Sequence, residues 1–309
     1  MNSINLPPRN LPKLLIFGFV TLIVLAIVLS AFKNLELDKS KADEKTAANQ
    51  KLNIPKEMVF VEGGTYQNAE KTPEVKQLIK PFAIDRNLVT VDDFIKFVNV
   101  TQYKTEAERF GNAAVFDFDK QEWLLVDGAS FLYPQGIDKA PAQLDHPVTQ
   151  ISWNDAQAYA KWRGKRLPTS IEWEWAAQSG GKSKNVYAWG NEIKKAGKIL
   201  ANHWQGEFPI KNTKEDGYLT TSPVGAFGAN PIGLTDMGGN VWQWCADSIL
   251  PTANEAQMDP SIRKVTKGGS FLCDPKVCHG FRVTGAASST PETALFHTGF
   301  RCVTDIEDK

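Results

Sequence analysis

Beyond about residue 180 the chain carries no helical period. Short strand-like runs alternate there with loops punctuated by Gly, Pro and Asn, as in Ser222-Pro223-Val224-Gly225, Gly228-Ala229-Asn230-Pro231 and Gly268-Gly269-Ser270. Such long irregular stretches are uncommon inside a domain unless something orders them, and bound ions or internal aromatic plugs are the available means. The 309 residues include nine Trp, 23 Gly and 17 Pro, which suits aromatic plugs in a loop-rich fold and excludes a helical bundle. A hydrophobic content of 42% is enough for a core and excludes a mostly disordered chain. The expectation is an α+β domain whose loops do the binding.

Helices are signalled only ahead of that region. Thr90-Val91-Asp92-Asp93, Ser152-Trp153-Asn154-Asp155 and Thr169-Ser170-Ile171-Glu172 each place a capping hydroxyl three residues before a carboxylate. Apolar residues follow the first two at helical spacing (Phe94, Phe97, Val98; then Ala156, Tyr159, Ala160), and Trp173, Ala176 and Ala177 follow the third. Gly164 and Gly180-Gly181 stand where the second and third helices should end. Met58–Val61 reads as a strand stopped by Gly63-Gly64.

Leu14–Phe32 is an uncharged apolar run. At helical rise it spans roughly 28 Å, close to the hydrocarbon core of a bilayer, and it is longer than a typical signal-peptide core. It reads as one transmembrane helix that stays attached. The charges flanking it, Arg9 and Lys13 before and Lys33, Lys39, Lys41 and Lys45 after, do not by themselves favour export. A large domain behind an N-terminal apolar segment is nevertheless usually exported. The expected layout is an N-terminal tail (1–13), an anchor (14–32), a polar linker (33–55) and a domain (56–306). The chain is then a single-pass membrane protein with that domain on the exported, periplasmic or extracytoplasmic, side.

Thirty-five basic residues against 35 acidic ones leave no net charge, which argues against nucleic acid as a partner. No phosphate-binding glycine motif follows a strand, so no nucleotide cofactor is expected, and no Ser/His/Asp order stands out. His279 and His297 are single histidines without a triad context.

Two loops are rich in oxygen donors. In the stretch Asn202 to Tyr218, Asn202 and Asp216 offer side-chain oxygens, and His203 and Tyr218 offer carbonyls. Asp236, Gly239, Val241 and Gln243 form a similar set. Calcium takes such neutral and anionic oxygens from flexible loops, although the same residues also suit hydrogen-bonded Asx turns. The run from Lys267 to Cys278 places Cys273 and Cys278 five residues apart in a Gly-led loop. A local disulfide, half of a zinc site and a two-thiolate Cu(I) site all fit that spacing. Cys245 and Cys302 show no paired spacing.

Six stretches, taken in order, resemble the formylglycine-generating enzymes, or sulfatase-modifying factors. They are MVFVEGGTYQNA (58–69), HPVTQISWNDAQAYAKWRGKRLPTSIEWEWAA (146–177), ANHWQGEFPIKNTKEDGY (201–218), SPVGAFGANPIGLTDMGGNVWQW (222–244), KGGSFLC (267–273) and HTGFRC (297–302). The resemblance implies a modified C-type-lectin-like fold with little regular secondary structure. It implies calcium at Asn202, His203, Asp216 and Tyr218, and a second calcium at Asp236, Gly239, Val241 and Gln243. At the last position many members have Glu. It further implies that Cys273 and Cys278 hold Cu(I), with Trp242 and Ser270 in the active-site cleft and Arg282 toward substrate. The implied reaction converts a cysteine in a Cys-x-Pro-x-Arg motif of an unfolded sulfatase to Cα-formylglycine using O2. Ala286 and Gly280 stand where some members carry Arg. On the same scaffold, the alternatives are an oxidase of a small molecule and a non-catalytic binding module.

Overall fold

The computed structural model describes residues 30–31, 33–34, 54–67, 76–249 and 263–306. Most of the apolar run from Leu14 lies outside them, as does nearly all of the polar linker. Among the described residues, no helix is long and apolar enough to cross a membrane. Everything below concerns the compact unit that begins at Pro55.

All three caps form, as reciprocal boxes at Ser152 and Thr169, whereas at Thr90 the hydroxyl donates to Asp93 Oδ2 and the backbone contact back is missing. Thr90, Ser152 and Thr169 each accept the backbone N–H three residues on, opening α1 (Val91–Thr101), α3 (Trp153–Trp162) and α4 (Ser170–Ala177). A further helix, α2 (Glu106–Phe110), was not anticipated, although Thr105 and Glu108 make the same reciprocal cap. Gly164 and Gly180 lie just past their helices with positive φ. Gly64 does not stop the first strand but opens the next one.

Strands are short. A three-stranded sheet runs in the order β1 (Met58–Val61), β4 (Phe82–Asp85), β15 (Val303–Asp305), all antiparallel neighbours. β2 (Gly64–Gln67) pairs with β3 (Lys76–Ile79), and β5 (Asn112–Asp117) with β6 (Glu122–Asp127). Two-residue ladders join β7 (Lys194–Lys195) to β8 (Lys198–Ile199) and β9 (Gly206–Glu207) to β10 (Lys211–Asn212). The largest sheet has the order β13 (Ala286–Ser289), β12 (Lys264–Lys267), β11 (Trp242–Ser248), β14 (Thr298–Gly299), with β11 and β14 parallel.

Aromatic plugs fill the space between these pieces. Phe94 packs its ring against Phe97, Phe131, Tyr159 and Phe300 at centroid distances of 5.1–6.4 Å. Trp173 and Trp244 are fully buried, and each indole N–H has an acceptor, Gln243 Oε1 and the Ile151 carbonyl respectively. A buried ion pair, Lys267 Nζ to Glu174 Oε2 at 3.0 Å, ties β12 to α4, and the Tyr66 hydroxyl donates to the other carboxylate oxygen. The loop-rich half is therefore ordered by packed rings and by long-range polar contacts instead of by extended sheets.

Candidate active site

The loop that carries the cysteine pair leaves β12 through two glycines. Gly268 and Gly269 have φ of +93° and +66°, a region that strains any residue with a Cβ, and a Cβ on Gly269 would lie 2.7 Å from the Phe281 nitrogen. The chain then crosses beneath the loop at 240, where Phe271 N–H donates to the Asn240 carbonyl, and turns at Ser270, whose carbonyl accepts Cys273 N–H. Asp274 closes the turn. Its carbonyl accepts the Val277 and Cys278 N–H groups, and its carboxylate accepts those of Lys276 and Phe208. Cys278 returns to Cys273 with a Cα separation of 5.1 Å, and the two are joined as a disulfide.

Cys273 is buried and Cys278 is half-buried, between the exposed residues Val277 and His279. The pair packs in one apolar cluster with Tyr187, Phe281, Trp189, Ile193 and Trp242. Behind it Trp189, Tyr187, Phe281 and His203 form a continuous stack with ring separations of 5.0–5.7 Å. Trp242 is half-buried and its indole covers Gly280. A Cβ on Gly280 would overlap that indole and sit 3.2 Å from Cys278 Sγ. Gly280→Ala is therefore expected to cost about 1–3 kcal/mol by overpacking, read as a lower thermal midpoint.

Ser270 is fully buried, and its hydroxyl accepts Leu272 N–H, so it shapes the turn that presents Cys273. Among the described residues, no group of three or more His, Cys, Asp or Glu side chains gathers as a metal site. The Asp274 carboxylate is already taken up by two backbone N–H groups. Once reduced, the pair offers two soft sulfur donors, which fit Cu(I) and do not complete a tetrahedral zinc site.

Of the oxygen-rich loops, the first fits a cation. Asn202 is buried, its Nδ2 donates to the Thr220 carbonyl, and its Oδ1 has no partner. Asp216 accepts Tyr218 N–H on Oδ1, a local turn that fixes the carboxylate beside the Tyr218 peptide. In the second loop, Asp236, Gly239, Val241 and Gln243, the two side chains fit a cation poorly, because protein donors already use them. Gln243 Oε1 accepts from both Trp173 Nε1 and Arg301 Nε at 2.8 Å, and its Nε2 donates to the Asp236 carbonyl. The Asp236 carboxylate is held by Gly225 N–H and Asn240 Nδ2. Arg301, fully buried, adds further donors to the Thr235 and Asp236 carbonyls. A guanidinium thus satisfies the Gln243 oxygen that a calcium would need, and burial draws its pKa down to about 10, still cationic at neutral pH.

Arg282 is exposed, and its backbone N–H donates to the His279 carbonyl. It lines a groove of about 730 Å³ with Trp175, Gln178, Lys184 and Thr284, and neither Cys273 nor Cys278 is among the lining residues. Ala286 is exposed at the start of β13, paired with Lys267. Cys245 and Cys302 are free, fully buried thiols whose pKa values burial pushes up.

His297 has a clearer place than the sequence suggested. Its carbonyl accepts Trp242 N–H, and its half-buried ring packs against Trp123, Phe296 and Phe271. Burial pushes its pKa from 6.5 down to about 3. The unfolded chain takes up that proton as pH falls through 6.5 while the folded one does not, so stability falls between about pH 6.5 and pH 3. The ceiling is about 1.4 kcal/mol per pH unit, reduced by the ring's partial exposure. His297→Asn should flatten this slope in denaturant titrations across that window.

Trp204, Gln205 and Asp274 were not singled out as functional from sequence. Trp204 N–H donates to the Cys273 carbonyl, so the oxygen-rich loop and the cysteine loop are directly joined. Their signal was position only, inside stretches already marked for other residues.

Residues 43–306 match the sulfatase-modifying factor enzyme 1-like domain family. The chain is 41% identical over 287 residues to the formylglycine-generating enzyme of Thermomonospora curvata, covering 82% of this chain and 94% of that one. It is 39% identical over 272 residues to the inactive C-alpha-formylglycine-generating enzyme 2 of Bos taurus, covering 79% and 87%. The structure of PvdO from Pseudomonas aeruginosa superimposes with a TM-score of 0.56 at 22% identity, covering 80% of this chain and 93% of that one, which shows the same fold. With its cysteine pair, capped helices and loop-rich core, the chain belongs to the sulfatase-modifying factor enzyme 1-like family.

Proposed function

We propose that this protein is a formylglycine-generating oxidoreductase that acts on a cysteine of sulfatase polypeptides. The observation that carries the reading is the meeting of Cys273 and Cys278 beside Trp242, in a chain about as similar to active relatives as to an inactive one. Overall likeness therefore does not separate the two outcomes, and the sulfur pair is what favours activity.

Reduced Cys273 and Cys278 would hold Cu(I), which when bound supplies the chemistry for using O2. The protein's own part is positional. The Asp274 turn holds the two sulfurs together, and Trp242 and Phe281 shield them on the inner side. Cys278, half-buried, leaves one side open for a substrate thiol. Loss of two hydrogens from the substrate cysteine, one from Cβ and one from sulfur, gives a thioaldehyde. Water then exchanges oxygen for sulfur, releasing hydrogen sulfide and leaving the aldehyde, with O2 as the electron acceptor. Calcium at the loop of Asn202, His203, Asp216 and Tyr218 belongs to the same reading, on a C-type-lectin-like scaffold. So does anchoring of the domain on the exported side of a membrane through residues 14–32, supported by the length of that uncharged run.

The test uses the reduced, Cu(I)-loaded chain with a Cys-x-Pro-x-Arg peptide and O2, followed by mass spectrometry. Conversion of the thiol to an aldehyde supports the proposal. Copper binding with the peptide untouched points to oxidation of another substrate. No copper binding, and no effect of Cys273→Ser, leaves a binding module.

A further inference from the structure

The first oxygen-rich loop contains a side chain that the ligand set expected from sequence leaves out. Gln205 is buried, and its Nε2 lies in close contact with the His203 carbonyl and 2.7 Å from Asp216 Oδ2. Those are two of the four oxygens assigned to calcium. The other two, Asn202 Oδ1 and the Tyr218 carbonyl, receive no donor among the described residues. One amide group therefore bridges two oxygens of the expected ligand set, while the other two have no donor among the described residues.

We propose that Gln205 is both the placeholder and a fifth protein ligand of this cation site, an inference that rests on reading the loop as a calcium site. Without the ion, the amide NH2 donates to the His203 carbonyl and the Asp216 carboxylate, and so offsets the repulsion of converging oxygens. With the ion, a half-turn of the amide about its last torsion brings Oε1 to face the cation, since amide oxygen and nitrogen are nearly equal in size. That turn gives up the two Nε2 donations, whose acceptors the cation then takes over, and the long contact from Asp216 N–H to Oε1 at 3.4 Å. Calcium commonly accepts a neutral amide oxygen alongside carboxylate and carbonyl ligands.

The position also links the ion to the cysteines. Gln205 follows Trp204, whose N–H holds the Cys273 carbonyl, and the Gln205 carbonyl accepts Thr213 N–H. Phe208 N–H, three residues on, reaches the Asp274 carboxylate. A rearrangement at Gln205 thus lies one peptide away from the contact that seats Cys273.

Calorimetric titration of the full chain with Ca²⁺ tests this without any assay of oxidation. Q205L, which removes both donor and acceptor, and Q205N, which keeps an amide one methylene short, should each weaken Ca²⁺ binding by on the order of tenfold or more. In the calcium-free state Q205L should also lower the thermal midpoint, because two oxygens lose their donor. Q205E should tighten binding by adding a charged ligand. Unchanged or tighter binding in Q205N and Q205L overturns the proposal, since Gln205 would then be a bystander or a competitor. Failure of the wild-type chain to bind Ca²⁺ overturns the calcium reading of the loop and this proposal with it. If Q205L does not fold, Q205N decides.

Discussion

Cys273→Ser or Cys278→Ser is expected to lower peptide oxidation by more than about 10²-fold, the upper cost of losing even an outer-shell partner at a metal site. A serine hydroxyl is a hard donor that stays protonated at neutral pH, so it cannot replace a thiolate toward a soft monovalent metal. The turn should persist, because Ser270 and Asp274 hold it through backbone and carboxylate contacts, although each variant loses the sulfur bridge and with it some thermal stability. The pairing can be checked without any turnover. Of the four cysteines, two are joined and two are free, so the unreduced chain in denaturant should titrate two thiols and the reduced chain four. In folded, reduced protein only the 273/278 pair should react readily, since Cys245 and Cys302 are sealed and their thiols are held protonated. Unchanged peptide oxidation in both serine variants would remove the sulfur pair from the chemistry.

Arg301→Met is expected to cost about 3–5 kcal/mol, the range for leaving buried polar partners unmatched. The guanidinium donates to Gln243 Oε1 and to the carbonyls of Asp85, Arg86, Thr235 and Asp236. Methionine fills much of the volume but donates to none of them. At roughly 2–4 °C per kcal/mol for a domain of this size, the thermal midpoint should drop by about 10 °C. Arg301→Lys should recover only part of that, because one ammonium cannot span acceptors arranged for a planar fork. Added Ca²⁺ should not rescue either variant if the loop of Asp236 and Gln243 has no place for the ion. Rescue by calcium would reverse the assignment made here.

What was legible in the sequence depended on how far apart the interacting residues lie. Caps are local, so Thr90, Ser152 and Thr169 announced their helices. Thr105 and Glu108 carried the same signal and were passed over because α2 has only five residues and no apolar period. The cysteine pair is also local, and its spacing permitted the turn that Asp274 makes. The surroundings of Gln243 were hidden for a long-range reason: it reads as a free neutral oxygen in the sequence, whereas Trp173 and Arg301, 70 and 58 positions away, both donate to it. Arg282, turned toward substrate only by the family resemblance, lines a groove that neither Cys273 nor Cys278 lines. Gly280 read as a missing arginine, whereas in the fold it is the space that Trp242 fills. The role of Gln205 needed the coordinates, because nothing in a WQG stretch says where an amide will point.

The segment from Thr298 to Asp305 supplies β14 to the sheet of β11 and β15 to the sheet of β4, with Arg301 between them. The two sheets therefore cannot be completed independently of each other. Without those eight residues, β4 is missing its neighbour on one side, β11 on another, and the acceptors around Arg301 lack their donor. One short segment thus acts as a common seam, and a lesion in it should loosen both sheets together.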